Sequence, residues 1–291
     1  MFEAKFIVIT PARNEGEYIS KTIESLVSQS VLPEEWLIVD DGSSDQTAAI
    51  AAAAARSYPW IKVLRLKDRG YRDAESGGTE AFGYGIKQVS TNDYQFIFNI
   101  DADIVLGPDY FKLILEKFAR DPKLGVAAGE VDELMWGRRL RLRALPLAQA
   151  GAVKGWRREC FEAKGELVKC LGWDGIDSFK AMMLGWKAIT FPDEALKVLH
   201  LRAMGAFDRN RYRRWARHGR ALYFSGAHPL WVLASAFYHL PDPPFVAGGI
   251  RLIMGYLRAA LKGAEQYQDE EFKRYLRHWQ LKKLARFLRL G

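Results

Sequence analysis

Cysteine is scarce in this sequence: Cys160 and Cys170 are the only two among 291 residues. Two thiols cannot build the disulfide framework of a small secreted domain, and their spacing differs from that of a zinc site. We therefore expect both side chains to be free thiols in a reducing cytosol.

Long hydrophobic runs are absent as well. A helix that spans a bilayer needs about 20 consecutive apolar residues, and no such run occurs in the chain. A predicted strand already occupies residues 5–10, so no secretory signal peptide is recognised. Both absences favour a cytoplasmic protein that is at most peripheral at the inner face of the cell membrane.

Two common nucleotide-binding signatures are missing too. A Rossmann oxidoreductase would carry Gly-x-Gly-x-x-Gly after its first strand, where this chain has Pro11-Ala12-Arg13-Asn14. A P-loop kinase would end a glycine loop with Gly-Lys-Ser/Thr, and no glycine loop in the sequence ends that way. The sequence therefore excludes these two enzyme classes.

Positive charge is concentrated in the last third of the chain. Residues 201–291 hold 17 Lys and Arg against 6 Asp and Glu, a net charge of +11, whereas the whole chain carries +8. On charge alone this basic part suits anionic lipid or nucleic acid equally well. No nucleic-acid recognition motif accompanies the charge, so we expect no nucleic-acid partner.

Strand and helix patterns alternate through the first 130 residues. Apolar runs at 4–10, 36–39, 61–66 and 96–100 predict strands, and segments with helical spacing separate them. This alternation is typical of an α/β fold, with a mostly parallel, Rossmann-like sheet flanked by helices on both faces.

Paired acids follow two of these strands, as Asp40-Asp41 and as Asp101-Ala102-Asp103. The carboxyl ends of parallel strands lie along one edge of a sheet, so both pairs should line one crevice. Two carboxylates this close repel each other unless a cation or a partner neutralises them. Asp101 and Asp103 therefore indicate a hard divalent metal that carries a phosphate-bearing ligand. The alternative is that Asp101 caps a turn and Asp103 is solvated.

Four motifs resemble, in order and rough spacing, those of the inverting family 2 glycosyltransferases with the GT-A fold. They are Ile9-Thr10-Pro11-Ala12-Arg13-Asn14-Glu15, Asp40-Asp41-Gly42-Ser43, Asp101-Ala102-Asp103 and Gly172-Trp173-Asp174. The resemblance covers about residues 4–200. It implies a catalytic domain over 1–205, with a nucleotide-sugar half at 1–130 and an acceptor half at 131–205. A helical, basic and amphipathic extension would then occupy 206–291.

The resemblance also implies roles for individual residues. The nucleotide-site candidates are Pro11, Arg13, Glu15, Asp40, Asp41 and Asp101. Asp103 is expected to bind a Mg²⁺ or Mn²⁺ that bridges the donor diphosphate, with Asp101 nearer the ribose and a second candidate ligand. His200 would be a third metal ligand or a donor to the diphosphate, and a structural histidine is the alternative.

Arg69 is a nucleotide-site candidate because of its loop. It lies in Lys67-Asp68-Arg69-Gly70, a basic stretch at the carboxyl end of the third predicted strand, where a guanidinium is well placed to meet phosphate or base. An ordinary exposed loop cation is the alternative.

Asp174 is the predicted catalytic base. In the family an acid at this point removes the proton of the acceptor hydroxyl, and Asp174, Lys180 and Gly185 keep the family's offsets although Trp173 replaces the usual Glu. A carboxylate at a helix N-terminus has its charged form favoured, as a base requires. Asp177 is the second candidate, and a plain helix cap is the alternative role for Asp174.

Two further segments are predicted from pattern. Residues 130–150 carry four arginines and predict a loop or short helix over the mouth of the site. The last helix, from about Leu276 to Arg289, is amphipathic and cationic, as interfacial membrane helices are. Packing on the catalytic domain, or on a second subunit of a homo-oligomer, is the alternative for this helix.

The sequence therefore predicts a metal-dependent glycosyltransferase. It would move a sugar from a nucleotide-diphospho-sugar, expected to be a UDP-sugar, to a hydroxyl of a glycan or lipid-linked acceptor in cell-surface polysaccharide or glycoconjugate synthesis. A sugar-nucleotide pyrophosphorylase would need a glycine-rich Arg/Lys loop that Arg13-Asn14-Glu15-Gly16 does not supply. A non-catalytic, membrane-associated sugar-nucleotide-binding protein is disfavoured because the acid pair and the candidate base are all present.

Overall fold

A computed structural model describes residues 4–71, 73, 76–135, 138–141, 151–202, 211–242 and 244–290. The chain divides into two compact units, one of Met1–Lys169 with Trp173–Ala203 and one of Cys170–Gly172 with Met204–Gly291. The sequence-predicted boundary between 205 and 206 lies outside the described residues.

Eleven strands are found in the described residues. They are β1 (Phe6–Ala12), β2 (Glu35–Asp40), β3 (Ile61–Arg65), β4 (Phe96–Ile100), β5 (Ile104–Val105), β6 (Leu124–Gly129), β7 (Val131–Met135), β8 (Arg138–Arg141), β9 (Val153–Arg157), β10 (Lys187–Phe191) and β11 (Val198–His200).

The helices of the first unit are α1 (Ile19–Val27), α2 (Thr47–Ser57), α3 (Gly77–Ile86), α4 (Tyr110–Arg120), α5 (Arg158–Lys164), α6 (Trp173–Met183) and a short 3-10 helix at Glu194–Leu196. Those of the second unit are α7 (Arg211–Phe224), α8 (Pro229–Tyr238), α9 (Val246–Leu261) and α10 (Glu270–Leu290).

The main sheet has seven strands in the order β10-β6-β9-β4-β1-β2-β3. Every pair is parallel except those of β9, which runs antiparallel to β4 and to β6. Strands β1, β2 and β4 are buried along almost their whole length, as expected of apolar runs covered on both faces. The predicted α/β class with a mostly parallel sheet is confirmed.

Strand alternation gives the sheet two aromatic cores. On one face the ring of Phe98 lies 5.4 Å from that of Phe6 and 5.1 Å from that of Phe111. On the other face the ring of Trp156 lies 5.6 Å from that of Phe82. Gly155 in β9 faces Phe98 so closely that a Cβ atom would stand 2.4 Å from the ring, which explains the glycine.

A second sheet of four strands has the order β5-β11-β7-β8. The loop or short helix predicted for 130–150 is wrong for 131–135 and 138–141, which form a hairpin, while residues 142–150 lie outside the described residues. Charged residues pair across this hairpin, since Arg139 Nε lies 3.3 Å from Asp132 Oδ2. Pairing of opposite charges between strands stabilises β7 and β8, although their polar sequences are typical of a loop.

The helical unit contains the predicted C-terminal helix as α10. Phe272 and Leu276 are buried, and the ring of Trp279 lies 5.5 Å from that of Trp231 in α8. Part of the apolar side of α10 is therefore used for packing inside this unit. None of the helices in the described ranges has the length and hydropathy that crossing a bilayer requires.

Candidate functional site

The loop after β1 and the turn after β2 are held together by reciprocal hydrogen bonds. The Asn14 backbone N–H donates to Ser43 Oγ, and the Ser44 N–H donates to Asn14 Oδ1, both over 2.9 Å. Asn14 has a φ of 54°, a left-handed conformation that Asn tolerates better than most residues. The two sequence motifs thus form one rigid rim at the carboxyl edge of the sheet.

Pro11 and Arg13 lie on this rim. Pro11 pairs with Val39 near the end of β1. The guanidinium of the buried Arg13 donates to Asp68 Oδ1 over 2.6 Å and to the backbone carbonyl of Asp41. Arg13 therefore ties three strand ends together, and its charge stays at the edge.

Asp40 and Asp41 have different surroundings. Asp40 is fully buried, accepts a 2.9 Å hydrogen bond from the Ser43 N–H and lies 3.3 Å from Arg65 Nε. Asp41 forms an ion pair with Arg69. Asp40 thus has a turn-capping role in addition to any nucleotide contact.

Arg69 is held by two carboxylates rather than projecting freely. Its guanidinium pairs with Asp41 and, over 2.9 Å, with Glu80 of α3. Burial alone would lower the pKa of Arg69, but these two acids raise it, so the side chain is a fixed cation. Two fixed cations, Arg13 and Arg69, therefore lie against Asp41.

The register of the second sheet places His200 and Arg202 against the Asp-x-Asp segment. Strand β5 begins directly after Asp103, and Ile104 pairs with His200 in β11. His200 Nε2 lies 2.9 Å and Arg202 Nε 2.6 Å from Asp103 Oδ2. Arg202 also contacts Glu15 Oε1 over 2.6 Å, so one arginine joins the first loop to Asp103.

The electrostatics of the two acids diverge. Burial and the adjacent charge of Asp103 raise the pKa of Asp101 to about 7. Burial would also raise the pKa of Asp103, but the hydrogen bond and charge of His200, with Arg202, hold it below its usual value. Burial would lower the pKa of His200, and the contact with Asp103 raises it instead.

These donors fit a divalent cation held jointly with a ligand. In the part of the chain that the structure describes, no three His, Cys, Asp or Glu side chains form a metal cluster by themselves. Mg²⁺ usually binds one or two carboxylates plus substrate phosphates rather than an all-protein cage. The two carboxylates of Asp101 and Asp103 match that mode, and the imidazole of His200 faces Asp103 as a candidate further ligand.

Asp174 lies next to the Asp-x-Asp strand because of Gly151. Asn99 Nδ2 donates to the Gly151 carbonyl over 2.7 Å and to Asp101 Oδ1 over 3.1 Å. A Cβ on Gly151 would stand 2.7 Å from the Trp173 ring and 3.4 Å from Asp174 Cβ. Only a glycine fits between the end of β4 and the first turn of α6.

Asp177, the second base candidate, is instead the centre of a buried ion cluster. Its carboxylate accepts from Lys154 Nζ over 3.1 Å and from Trp156 Nε1 over 2.8 Å, and it lies 2.5 Å from Lys164 Nζ. All three charged side chains are at most 2% exposed. These contacts assign Asp177 a structural role.

Lys154 links this cluster to Asp174. Its Nζ also donates to the Asp174 backbone carbonyl over 2.7 Å. Burial raises the pKa of Asp174, while the charge of Lys154 acts against the rise. Lys154 in β9 therefore holds the backbone of Asp174 in place, and its charge favours the ionised form of the half-buried Asp174 carboxylate.

Sequence reasoning did not identify Arg202 or Lys154 as parts of the site. Arg202 stands two positions after His200, and strand alternation could have placed both on one face. Lys154 carries no comparable signal, because its partners Asp174 and Asp177 come from a helix about 20 residues later.

Taken together, the edge offers three fixed cations, a carboxylate pair suited to a metal and phosphate, and a separate half-buried carboxylate. The cations are Arg13, Arg69 and Arg202. Such an arrangement can bind a diphosphate on one side and accept a proton on the other.

Comparison with known proteins agrees with this geometry. The sequence model of the family described as Glycosyl transferase family 2 matches residues 7–183, more than half of the chain. Poly-beta-1,6-N-acetyl-D-glucosamine synthase of Staphylococcus epidermidis is 33% identical over 116 residues, which are 40% of this chain and 26% of that protein. The aligned part is thus about a quarter of the length of this curated relative.

Solved structures share the fold at low sequence identity. The mannosyltransferase PcManGT from Pyrobaculum calidifontis, in complex with GDP-Man and Mn²⁺, has a TM-score of 0.59 and 17% identity, covering 91% of this chain and 77% of that chain. GalNAc-T7 with UDP, GalNAc and Mn²⁺ has a TM-score of 0.60 and 15% identity, covering 98% of this chain and 57% of that chain. TarS 1–349 of S. aureus with UDP-GlcNAc has a TM-score of 0.54 and 17% identity, covering 89% of this chain and 73% of that chain. These similarities confirm the expected GT-A-type fold.

Replacing Asp177 by asparagine is expected to destabilise the protein without altering a reacting group. The Asp177→Asn change leaves two buried lysines without a counter-charge, and breaking a buried pair costs about 3–5 kcal/mol. Equilibrium urea unfolding of the full chain measures this loss. The matched control is Asp193→Asn, which removes a surface ion pair with Lys117 and should cost under about 1 kcal/mol. Equal, small losses in both variants would contradict the structural role of Asp177.

Proposed function

Because the chain belongs to glycosyl transferase family 2, we propose that it moves a sugar from a nucleoside-diphospho-sugar to a hydroxyl of a glycan or lipid-linked acceptor. One observation carries the proposal: Gly151 joins the Asp101 end of β4 to Asp174. The proposed diphosphate site and the candidate base would therefore share one sheet edge, as sugar transfer between two substrates requires.

The donor half of the proposed site is the rim built by the first two motifs. We assign the nucleotide to Pro11, Arg13, Glu15, Asp40, Asp41, Arg69 and Asp101. A UDP-sugar is the proposed donor, since TarS and GalNAc-T7 were crystallised with uridine nucleotides and a curated relative is a poly-N-acetylglucosamine synthase. The same relative supports a role in polysaccharide synthesis. We further propose that the product is a cell-surface polysaccharide or glycoconjugate and that the protein works in the cytoplasm.

A Mg²⁺ or Mn²⁺ would be held by Asp103, with Asp101 and His200 as further ligands. PcManGT and GalNAc-T7 contain Mn²⁺ in their crystal structures, which supports a divalent metal here. Such an ion neutralises charge on the leaving diphosphate as a Lewis acid. Arg202, which contacts Asp103 and Glu15, would add a fixed cation beside that charge.

Asp174 is the proposed general base. Its carboxylate takes the proton from the acceptor hydroxyl, the oxygen attacks the anomeric carbon, and the bond to the nucleoside diphosphate breaks on the opposite side. This in-line displacement inverts the anomeric configuration. The raised pKa of Asp174 means that the ionised, active form is lost as pH falls through that value.

Lys154 is the proposed positioning residue for this base. Its Nζ fixes the carbonyl of Asp174, and its charge favours the ionised carboxylate. The ammonium itself is fully buried among Asp177, Ser178 and the carbonyl of Asp174. Lys154 therefore acts on the acceptor hydroxyl only through Asp174.

Asp174→Asn is expected to lower transfer by about 10²–10⁴-fold, the usual contribution of a general base. The donor is first identified by screening nucleotide sugars for Mn²⁺-dependent hydrolysis, and transfer is then measured with that donor. Donor affinity, measured by calorimetry, should stay within twofold of wild type because Asp174 lies outside the donor rim. Asp193→Asn is the control and should keep full activity. Full transfer by Asp174→Asn would show that another group is the base.

Replacing Lys154 by methionine should move the acid limb of the pH profile of kcat/KM upward by about one pH unit. The reason is that loss of the Lys154 charge leaves burial to raise the pKa of Asp174 further. The charged groups facing Asp174 are Lys154 and Asp177, and Lys164 meets Asp177 at its other oxygen.

Lys164→Met is the matched control for that shift. Each variant removes one buried lysine and leaves Asp177 with the other, so both lose stability, but only Lys154 contacts Asp174. Carboxyl-carbon NMR of Asp174 gives the same comparison without turnover. Equal shifts in the two variants, or none in Lys154→Met, would contradict the positioning role.

A further inference from the structure

Helix α8 exposes several large apolar side chains and buries small ones, while its Trp231 is half-buried against Trp279 of α10. Val232, Ser235 and Ala236 face the interior of the helical unit, whereas Leu230, Leu233 and Phe237 face out, with Phe237 69% exposed. None of the ten residues of α8 is charged. A helix surrounded by water normally shows the reverse pattern, with polar residues outside.

Helix α9 also has large apolar residues on its exposed side and small residues on its buried side, because its buried side packs against α7. A Cβ on Gly255 would stand 2.0 Å from the carbonyl oxygen of Ala216, and one on Gly219 would stand 1.9 Å from that of Leu252. The glycine face of α9 is therefore pressed against α7. Its opposite side exposes larger apolar residues, namely Val246, Ile250, Leu257 and the 88% exposed Leu261.

The connection between the two helices also presents an apolar side chain. Phe245 is exposed and has a φ of 60°, a left-handed conformation that bulky residues disfavour. Phe237, Phe245 and Val246 are thus close in sequence and all exposed where α8 ends and α9 begins. Several large exposed apolar side chains within one short segment are typical of an interaction site.

Positive charge accompanies this surface. Residues 229–262 contain three Lys and Arg and one acid, Asp242. Asp242 is buried and lies 2.7 Å from His239 Nδ1, so it does not offset the charge at the surface. Arg251 and Arg258 on α9, and Lys262 directly after it, are exposed. An apolar face flanked by cations complements an anionic lipid surface.

We propose that the exposed face of α8 and α9, with Phe245 between them, docks on an anionic phospholipid bilayer. The two helices lie along the interface rather than crossing it, because α9 has only 16 residues and carries Arg251 and Arg258. The apolar side chains enter the headgroup region while the basic ones meet phosphates. This surface differs from α10, the helix to which the sequence pattern assigned membrane contact, and its docking does not depend on sugar transfer.

Vesicle sedimentation of the full chain tests the proposal. Vesicles of equal parts phosphatidylglycerol and phosphatidylcholine should bind the protein, phosphatidylcholine alone should bind it far less, and added salt should weaken binding. The double variant Phe237→Ser with Leu261→Ser should lose about tenfold or more in partition coefficient. Arg251→Gln with Arg258→Gln should lose about fivefold per charge, on anionic vesicles only.

The matched control is Leu32→Ser with Leu184→Ser, two exposed leucines of the other unit, which should leave binding unchanged. All substituted side chains are exposed, so circular dichroism should match wild type. Absence of vesicle binding by wild type would overturn the proposal. So would a dimer, seen by sedimentation velocity, that the Phe237/Leu261 variant dissociates, because the face would then bind a second copy of this chain. A loss of vesicle binding in the Leu32/Leu184 control variant as large as that in the Phe237/Leu261 variant would also overturn the proposal.

Discussion

Crowding of carboxylates at one edge of the main sheet is the constraint on which the rest of the first unit depends. Asp101 and Asp103 are separated by one residue, and burial together with the charge of Asp103 raises the pKa of Asp101 to about 7. Strand β11 pairs with β5 and thereby brings His200 and Arg202 into contact with Asp103, where they offset this negative charge. In the proposed function, the same positive groups that stabilise the acids in the free protein would meet the diphosphate of the donor.

Strand β9 is the element that links the end of β4 to the first turn of α6. It runs antiparallel between β4 and β6, so its first residues lie beside the end of β4. Gly151, just before β9, contacts both Asn99 and Asp174, and Lys154 within it holds the Asp174 carbonyl. One strand thus connects the proposed leaving-group site to the proposed base. This arrangement buries two lysines, Lys154 and Lys164, and the carboxylate of Asp177 pairs with both of them.

The sequence patterns predicted those strands whose formation depends on the residues of the strand itself. Short apolar runs ending in Asp40-Asp41 and Asp101-Ala102-Asp103 identified buried parallel strands and the edge where their acids meet. The antiparallel insertion of β9 and the Asp103–Arg202 contact depend on pairings between distant segments, which no window of sequence displays. The amphipathic pattern of the last helix reflects in part the packing of Phe272 and Leu276 inside its own unit, and its contact with a membrane stays a prediction.

In the proposed function, the acidic edge binds a nucleoside diphosphate together with a divalent cation. Calorimetric titration of a panel of nucleoside diphosphates, with and without Mn²⁺, tests this binding most directly in wild type and in Asp103→Asn. Mn²⁺ is expected to strengthen binding of at least one nucleotide, and Asp103→Asn is expected to remove this gain. Binding that is equally tight without the metal, or a gain that survives in Asp103→Asn, would contradict it.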